Sequence, residues 1–306
     1  MKRLSIIGAG NMGSAIASLF LLHGWQARLI DPSEQARLSS RRKVLGAQAG
    51  GSEDDSRISW HASLAAAHDA ELVIEAAPEN LELKTEIFRQ LEDICSPQTI
   101  LASNTSGIPI NMLAQALSRP ERFIGAHFFT PADIIPLVEI VPSLLTAPET
   151  GEYMLAVLRG TGKLPVLLKQ DIPGFIANRL QHALAREAMS LLEKGVASAR
   201  DIDTVAKWSL GVRLALTGPL EQRDINGLDI HHAIAGYLYE NLESSRQPLR
   251  ILAEKVEQGR LGVKSGHGFY DWDQPEQRRS LRRKDAALRR LVSLLRESET
   301  EGHAEQ

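Results

Sequence analysis

The first 31 residues constrain the fold of this chain more than any other stretch. Residues 2–7 form a short apolar run of strand length, and residues 14–23 have the apolar spacing of a helix. Residues 25–30 are typical of a second strand, which ends at Asp31. A Gly-x-Gly-x-x-Gly sequence lies between the first strand and the helix, with its glycines at Gly8, Gly10 and Gly13. This order predicts the first βαβ unit of a dinucleotide-binding fold.

Each position of the glycine-rich turn has a physical role. Gly8 permits the tight turn, and Gly10 lacks the Cβ atom that would keep a pyrophosphate away from the backbone. Gly13 lets the helix pack close to the strand. Asn11 and Met12 fall at the helix N-terminus, where unpaired amides and a partial positive charge favour an anion. We therefore expect all five residues to bind the cofactor.

Asp31 indicates which dinucleotide binds. Its carboxylate can accept hydrogen bonds from both hydroxyls of the adenosine ribose. It would repel a 2′-phosphate, and Pro32 rather than an arginine follows it. The sequence therefore predicts NAD rather than NADP.

Composition excludes several classes of partner. The chain has 306 residues, of which 43% are hydrophobic and 24% charged, and its net charge is −3. We expect neither a nucleic acid nor a membrane as partner, but a small-molecule substrate. Cys95 is the only cysteine, which argues against a disulfide within the chain and against a thiolate metal site, and no metal is predicted. With no apolar run of membrane length and no signal peptide before the first strand, we expect a cytoplasmic enzyme.

Strands and helices alternate up to about residue 169. The predicted strands cover residues 2–7, 25–30, 57–60, 71–76, 98–102, 122–127, 137–141 and 163–169. The helices between them are predicted over residues 14–23, 33–48, 63–68, 78–95, 111–117 and 146–159. This alternation predicts an α/β fold with a Rossmann-like, doubly wound sheet. The pattern then becomes helical, which predicts an NAD-binding domain over 1–171 and an all-α domain over 172–306 for substrate binding and dimerisation.

His127 and Glu139 are the candidate chemical groups. Ligands of a doubly wound sheet bind beyond the carboxyl ends of the strands, and His127 ends a predicted strand there. Glu139 lies among apolar residues on the following strand, where a buried carboxylate needs a partner. A carboxylate beside the imidazole would fix its tautomer, so His127 could accept a hydroxyl proton while hydride leaves the same carbon. A structural histidine and a surface carboxylate are the alternatives.

Several motifs occur together in the order of a known family. They are Gly8–Gly13, Pro78–Leu81, Ser103–Ser106, His127–Pro131, Leu137–Ile140, Pro173–Arg179, Gly218–Leu220, Gly227–Asp229 and Lys264–Tyr270. The chain resembles the 3-hydroxyacyl-CoA dehydrogenase family over nearly its whole length. The resemblance implies that His127 is the catalytic base, that Glu139 is its partner, and that the second domain contacts substrate and forms a homodimer.

The resemblance also assigns residues that the sequence alone leaves unassigned. It implies that Ser106 and Asn178 bind the reacting oxygen. Without the resemblance, Ser106 would be interpreted as a helix N-cap and Asn178 as a solvent-facing helix residue. It further implies NAD contacts, which would come from Asp31, Glu79, Lys84, Ser106 and Lys264.

The chain departs from the acyl-CoA enzymes in three places. Thr130 stands beside the expected nicotinamide position, where those enzymes usually carry asparagine, and a hydroxyl replaces only one amide hydrogen bond. The segment from Asp31 to Glu75 spans 44 positions, shorter than the helical pair that helps those enzymes hold CoA. Residues 210–219 are more similar to family members acting on free hydroxy acids, such as gulonate or carnitine. Arg213 could then bind a substrate carboxylate, or lie at an interface or on the surface.

The sequence therefore predicts an NAD-dependent oxidoreductase that interconverts the 3-hydroxy and 3-oxo groups of an L-3-hydroxyacyl-CoA. Arg41 and its neighbours Arg42 and Lys43 support this substrate, since they could contact CoA phosphates. A dehydrogenase of a small free 3-hydroxy acid is the alternative. A non-catalytic NAD(H)-binding protein is a third hypothesis. The presence of all four site residues, Ser106, His127, Glu139 and Asn178, argues against it.

Overall fold

The structure, a computed structural model, describes residues 2–46 and 56–304. The chain divides into two compact units, Met1–Asn178 and Arg179–Gln306. The assignment of cofactor binding to residues 1–171 and of substrate binding and dimerisation to 172–306 stays a prediction.

A sheet of eight strands organises the first unit. In chain order the strands are β1 (Arg3–Ile7), β2 (Gln26–Ile30), β3 (Ile58–His61), β4 (Leu72–Glu75), β5 (Ile100–Ser103), β6 (Phe123–Phe128), β7 (Leu137–Pro142) and β8 (Leu164–Leu167). Their order across the sheet is β3-β2-β1-β4-β5-β6-β7-β8. Every pairing is parallel except that of β6 with β7. The predicted Rossmann-like, doubly wound sheet is confirmed.

Helices cover both faces of this sheet. Those of the first unit are α1 (Asn11–Leu22), α2 (Glu34–Gly46), α3 (Leu81–Ile94), α4 (Ile110–Ala114) and α5 (Pro148–Gly160). Alternate strand residues point to opposite faces, so the sheet feeds two apolar clusters. Leu4 and Ile6 of β1 pack in one cluster with side chains of α1, α2 and α5. Ile7 packs in the other with side chains of α3 and α4.

Several helices of the first unit begin or end a few residues away from the predicted bounds. The helix predicted from residue 78 begins at Leu81, because the Asn80 side chain accepts a hydrogen bond from the Leu83 amide and caps the first turn there. The helix predicted over 33–48 extends from Glu34 to Gly46, and residues 47 and 48 lie outside the described part of the chain.

The second unit is helical, as predicted. Its helices are α6 (Ala177–Glu193, which begins in the first unit), α7 (Ala199–Val205), α8 (Val212–Leu214), α9 (Pro219–Asn226), α10 (Leu228–Leu238), α11 (Arg250–Glu257) and α12 (Pro275–Ala304). A π-helical turn, Ala206–Gly211, joins α7 to α8. Helices α7 to α11 bury none of their residues, so the apolar sides of these helices remain largely open.

Candidate active site

A cleft lies beyond the carboxyl ends of β1, β2 and β4. Its volume is about 1060 Å³, and Gly8, Gly10, Asn11, Met12 and Asp31 all line it. The opposite wall comes from the turn after β4 and from the apolar side of α3. Four predicted cofactor-binding residues of the glycine-rich turn therefore line one cleft together with Asp31.

The three glycines fit a bound dinucleotide. Gly8 has a φ of +106°, and a Cβ atom there would lie 2.5 Å from the Ala76 carbonyl oxygen. A Cβ atom on Gly13 would lie 1.9 Å from the Gly8 carbonyl oxygen, so the close approach of α1 to β1 requires glycine. A Cβ atom on Gly10 would meet nothing within 4 Å, which leaves open space at the start of α1. A pyrophosphate fits that space, next to the N-terminal amides of the helix.

Asp31 is positioned at the end of β2 by two backbone amides. Its Oδ2 accepts from the Ala9 amide and its Oδ1 from the Ser33 amide, each at 2.9 Å. Each carboxylate oxygen can accept a further hydrogen bond. The carboxylate therefore suits the two ribose hydroxyls of NAD.

His127 and Glu139 form a buried pair on antiparallel strands. The β6–β7 register places the two residues directly opposite each other, and Nδ1 of His127 lies 2.9 Å from Oε2 of Glu139. The two residues are 4% and 1% exposed. The other carboxylate oxygen, Oε1, accepts from the amides of Ile176 and Ala177 at 2.9 Å each. Both oxygens of this buried carboxylate thus have hydrogen-bond partners.

These contacts decide the charge of Glu139 and the tautomer of His127. Burial alone raises the pKa of Glu139, but the hydrogen bonds from His127, Ala177 and Ile176 outweigh it and hold the pKa below its usual value. An ionised carboxylate only accepts, so the hydrogen of the shared bond belongs to Nδ1 of His127. The Nε2 atom is left with a lone pair that can accept a proton.

Aromatic side chains and an asparagine hold the end of β6. The ring centroid of His127 lies 4.4 Å from that of Phe129 and 5.6 Å from that of Phe175. The Asn104 side chain accepts from the Phe128 amide at 2.9 Å and so ties the end of β6 to the loop after β5.

Glu79 shapes the loop that carries Ser106. One of its oxygens, Oε1, accepts from the Thr105 hydroxyl and from the amides of Ser106 and Gly107. Burial raises the pKa of Glu79, but these donors and the neighbouring Lys84 ammonium together hold it below its usual value. Glu79 is therefore an anion whose Oε1 accepts three hydrogen bonds from this loop.

Lys84, for which the resemblance implies an NAD contact, is buried among polar and charged groups of the protein. Its side chain is 1% exposed, and its Nζ donates to Oε1 of Glu75 at 2.6 Å and to the Ala77 carbonyl at 3.1 Å. Oε2 of Glu79 lies 3.4 Å away. The ammonium is thus enclosed between two carboxylates and a carbonyl, and its contact with NAD stays a prediction.

Ser106, Asn178 and Thr130 lie near the protein surface. The Asn178 side-chain amide donates to the backbone carbonyl of Ser106 at 2.7 Å, which brings the two predicted oxygen-binding residues together. The Thr130 hydroxyl donates to the sulfur of Met12 at 3.3 Å and so connects the end of β6 to the start of α1.

The remaining candidates are basic residues, two of them in the second unit. Arg41 lies with its guanidinium carbon 5.8 Å from the ring centroid of Trp60, and Lys43 donates to the side chain of Asn11 at 2.6 Å. In the second unit, Arg213 is exposed and donates to the Ser209 carbonyl one turn earlier. Lys264 lines an apolar cavity of about 720 Å³ within that unit.

Glu75 is a site-forming residue that the sequence analysis missed. It is fully buried at the end of β4, where its carboxylate accepts from Lys84, from the Ser103 hydroxyl and from the Ala77 amide. Burial raises its pKa, and these donors limit the rise. An available signal was overlooked, because Glu75 follows Leu72, Val73 and Ile74 just as Glu139 lies among apolar residues.

The two halves of the chain match the two domain models of one protein family. The model for the 3-hydroxyacyl-CoA dehydrogenase NAD-binding domain matches residues 3–172, and that for the C-terminal domain matches residues 174–272. The chain belongs to the 3-hydroxyacyl-CoA dehydrogenase family. It is an NAD-dependent oxidoreductase with a small-molecule substrate.

Individual relatives differ in the substrate that their names give. A 5-formyl-3-hydroxy-2-methylpyridine 4-carboxylate 5-dehydrogenase of Mesorhizobium japonicum is 36% identical over 95% of this chain and 98% of its own. The solved structure of such a 5-dehydrogenase is described as an NAD⁺-dependent dismutase. It has a TM-score of 0.87 and is 33% identical over 98% of this chain and 99% of its own. The solved structure of the (S)-3-hydroxybutyryl-CoA dehydrogenase of Ralstonia eutropha has a TM-score of 0.72 and is 33% identical over 90% of this chain and 100% of its own.

Neither a metal-binding cluster nor a membrane-length helix is present among the described residues. No three or more histidine, cysteine, aspartate or glutamate side chains in 2–46 and 56–304 are grouped so as to hold a metal ion. Within the same ranges, no helix has both the length and the apolar character needed to cross a bilayer.

Proposed function

We propose that this chain oxidises a hydroxyl group, or the hydrate of an aldehyde, on a small free carboxylic acid, with His127 as the base. The observation that supports the chemistry is the buried His127–Glu139 pair, in which a carboxylate held by two amides accepts from Nδ1 of the imidazole. This leaves Nε2 to take the hydroxyl proton. Bound NAD supplies the hydride acceptor.

The chain's own residues supply the acid–base part of this reaction. As His127 gains the proton it becomes an imidazolium, which the Glu139 carboxylate stabilises. Ser106 and Asn178 are the proposed donors to the reacting oxygen. Glu79 holds the loop that presents Ser106, and Thr130 with Met12 forms the proposed wall beside the nicotinamide.

The cofactor part of the proposal uses the cleft residues. The amides of Asn11 and Met12 beside Gly10 would hold the pyrophosphate, and Asp31 the adenosine ribose. Lys264 is the proposed contribution of the second unit to cofactor binding, which a variant can test.

The comparisons support a free acid as the substrate class. So does the segment after Asp31, which is shorter than the helical pair that helps the acyl-CoA enzymes hold CoA. The 5-dehydrogenase with the TM-score of 0.87 is named for a pyridine carboxylate. An aldehyde hydrate carries the same hydroxyl and hydrogen on one carbon as an alcohol, so one base serves both oxidations. In this proposal Arg213 binds the substrate carboxylate.

An acyl-CoA ester is the second candidate. It is favoured by a cavity of about 370 Å³ beside β3, which Arg37, Arg41 and Trp60 line together. The Arg41 guanidinium beside the Trp60 ring, with Arg37 in the same lining, suits an adenine nucleotide phosphate such as CoA carries.

A substrate panel tests the proposal. NADH formation would be measured with 3-hydroxybutyryl-CoA, free 3-hydroxybutyrate, gulonate, carnitine and 5-formyl-3-hydroxy-2-methylpyridine 4-carboxylate. We expect turnover of a free acid and none of the CoA ester. Turnover of the CoA ester alone would refute the free-acid proposal, and NADH binding without any turnover would favour a non-catalytic role.

We also propose a homodimer, in the cytoplasm, with the second unit as its interface. In that unit Trp208, Leu216 and Leu220 are 71%, 75% and 81% exposed. A second copy could cover such a surface, as the family resemblance implies. Sedimentation of the purified chain tests the dimer, and imaging of a tagged chain tests the location.

A further inference from the structure

Phe175 has an unusual backbone conformation. Its φ is +51°, and it is the one non-glycine residue with a positive φ in the described part of the chain. A bulky side chain is disfavoured in this left-handed region, because its Cβ atom approaches the following carbonyl. Such conformations persist only where surrounding contacts enforce them, and they concentrate at functional sites.

This conformation turns the chain toward Glu139. The Phe175 amide donates to the Ile172 carbonyl at 3.0 Å and closes the turn that precedes α6. The next two amides, of Ile176 and Ala177, then both donate to Oε1 of Glu139 at 2.9 Å. Amides at the start of a helix have no partner within it, so a change in this turn would release them from the carboxylate.

The side chain of Phe175 supplies contacts that enforce the conformation. It is 0% exposed and packs in the apolar cluster that includes Ile7, Val73 and Phe123. Its ring also contacts His127, with the ring planes inclined at 60°. The burial of the ring therefore opposes the steric cost of the left-handed backbone.

We propose that Phe175 is a positioning residue for the base: its left-handed backbone aims the Ile176 and Ala177 amides at Glu139, which in turn holds His127. The inference rests on the proposed function only for its effect on turnover. The geometric part concerns the His127–Glu139 hydrogen bond and can be measured without substrate.

Three substitutions at one position separate this role from ordinary packing. Phe175→Leu keeps most of the buried volume. Phe175→Ala removes the ring but keeps the steric cost of a Cβ atom, whereas Phe175→Gly removes both. We therefore expect the His127–Glu139 bond to be retained in the leucine and glycine variants and lost in the alanine variant.

Two measurements report the outcome. The first is the downfield proton resonance of the His127 Nδ1–H, assigned by its loss in Glu139→Gln. The second is kcat with the substrate found in the panel, which we expect to fall at least about tenfold further in the alanine than in the glycine variant, since displaced groups lose catalytic efficiency steeply. Gly174→Ala, at the adjacent residue with φ +78°, should weaken the resonance without removing any core side chain.

The order of the variants decides the proposal. If resonance and kcat fall in the order leucine, alanine, glycine, following the volume removed, Phe175 is only a core residue. Retention of the resonance in all of them, Gly174→Ala included, would also overturn the proposal. If the wild-type chain turns over no substrate, the proposed function fails, while the resonance still tests the positioning role.

Discussion

The two units of this chain bury their apolar side chains to very different extents. In the first, Phe20, Phe88 and Phe123 are fully buried against the sheet. Every buried hydrophobic residue found in the described ranges belongs to this first unit. The second unit keeps large apolar side chains such as Trp208 and Leu220 at the surface. The first unit thus completes its core alone, whereas the second presents a surface that a partner could cover.

The candidate residues differ in the same way. Glu139 and Glu79 are each fixed by three donors of the first unit that are distant in the chain, from two segments for Glu139 and from the loop 105–107 for Glu79. In the second unit, the bond from Nε of Arg213 is local to its own helical turn. A rigid site and an adaptable surface are therefore expected to respond differently to substitution.

The largest expected effect is on turnover, at His127. His127→Ala should lower kcat by about 10²–10⁴-fold, because it removes the proposed general base. His232→Ala, an exposed histidine of the second unit, is the matched control and should leave kcat nearly unchanged. Steady-state NADH formation checks both variants. If His127→Ala retained most of its kcat, the first unit would not supply the base.

The next effect concerns self-association, at Leu220. Leu220→Glu should weaken the proposed dimer by about 100-fold, because it places an unpaired charge in an apolar interface. Leu144→Glu is the control, since Leu144 is 90% exposed but lies in the first unit. Sedimentation velocity over a range of concentrations measures both. Equal association of the two variants would contradict the proposed role of the second unit.

The sequence predicted most of the first unit because its signals are local. The glycine spacing, the strand-length apolar runs and Asp31 each specify neighbouring backbone, and the cleft contains these residues as expected. The pairing of His127 with Glu139 was predictable for a similar reason, because the two strands follow each other in the chain.

Features that depend on tertiary contacts were not predictable. The enclosure of Lys84 between Glu75 and Glu79 depends on how the chain turns from β4 into α3, which the sequence pattern does not reveal, and its expected NAD contact stays a prediction. The left-handed backbone of Phe175 is likewise enforced by packing rather than by its own residue type. In the second unit the amphipathic pattern gave the helices, but helical periodicity does not reveal whether an apolar side is covered within one chain.

A smaller effect is expected on cofactor preference, at Asp31. Asp31→Asn should lower kcat/KM for NAD by about ten- to a hundredfold, because hydrogen bonds to a charged group are worth about 1.5–3 kcal/mol. It should also reduce discrimination against NADP, since the repelling carboxylate is gone.

Lys264→Ala extends this test to the second unit. An unchanged KM for NAD would confine cofactor binding to the first unit. A large increase would show that the second unit contributes, which would weaken the contrast drawn between the units.

The smallest expected effect is on stability in acid, at Glu139. Its pKa lies below the ordinary value of 4.5 in the folded chain, so folding favours the ionised form. This stabilisation is fully present above about pH 4.5 and is lost as pH falls through the lower folded value. Glu139→Gln should therefore flatten the fall in the urea midpoint below that pH.

Glu243 of the second unit provides the matched control for this last effect. Its pKa is also held low, chiefly by the Ser245 amide, but the residue is only partly buried, and water screens such interactions. Glu243→Gln should consequently change the acid sensitivity less than Glu139→Gln does. Urea unfolding from pH 7 to pH 3 compares the two variants. If the partly buried Glu243 had the larger effect, burial would not be the reason that the first unit fixes its charges so firmly.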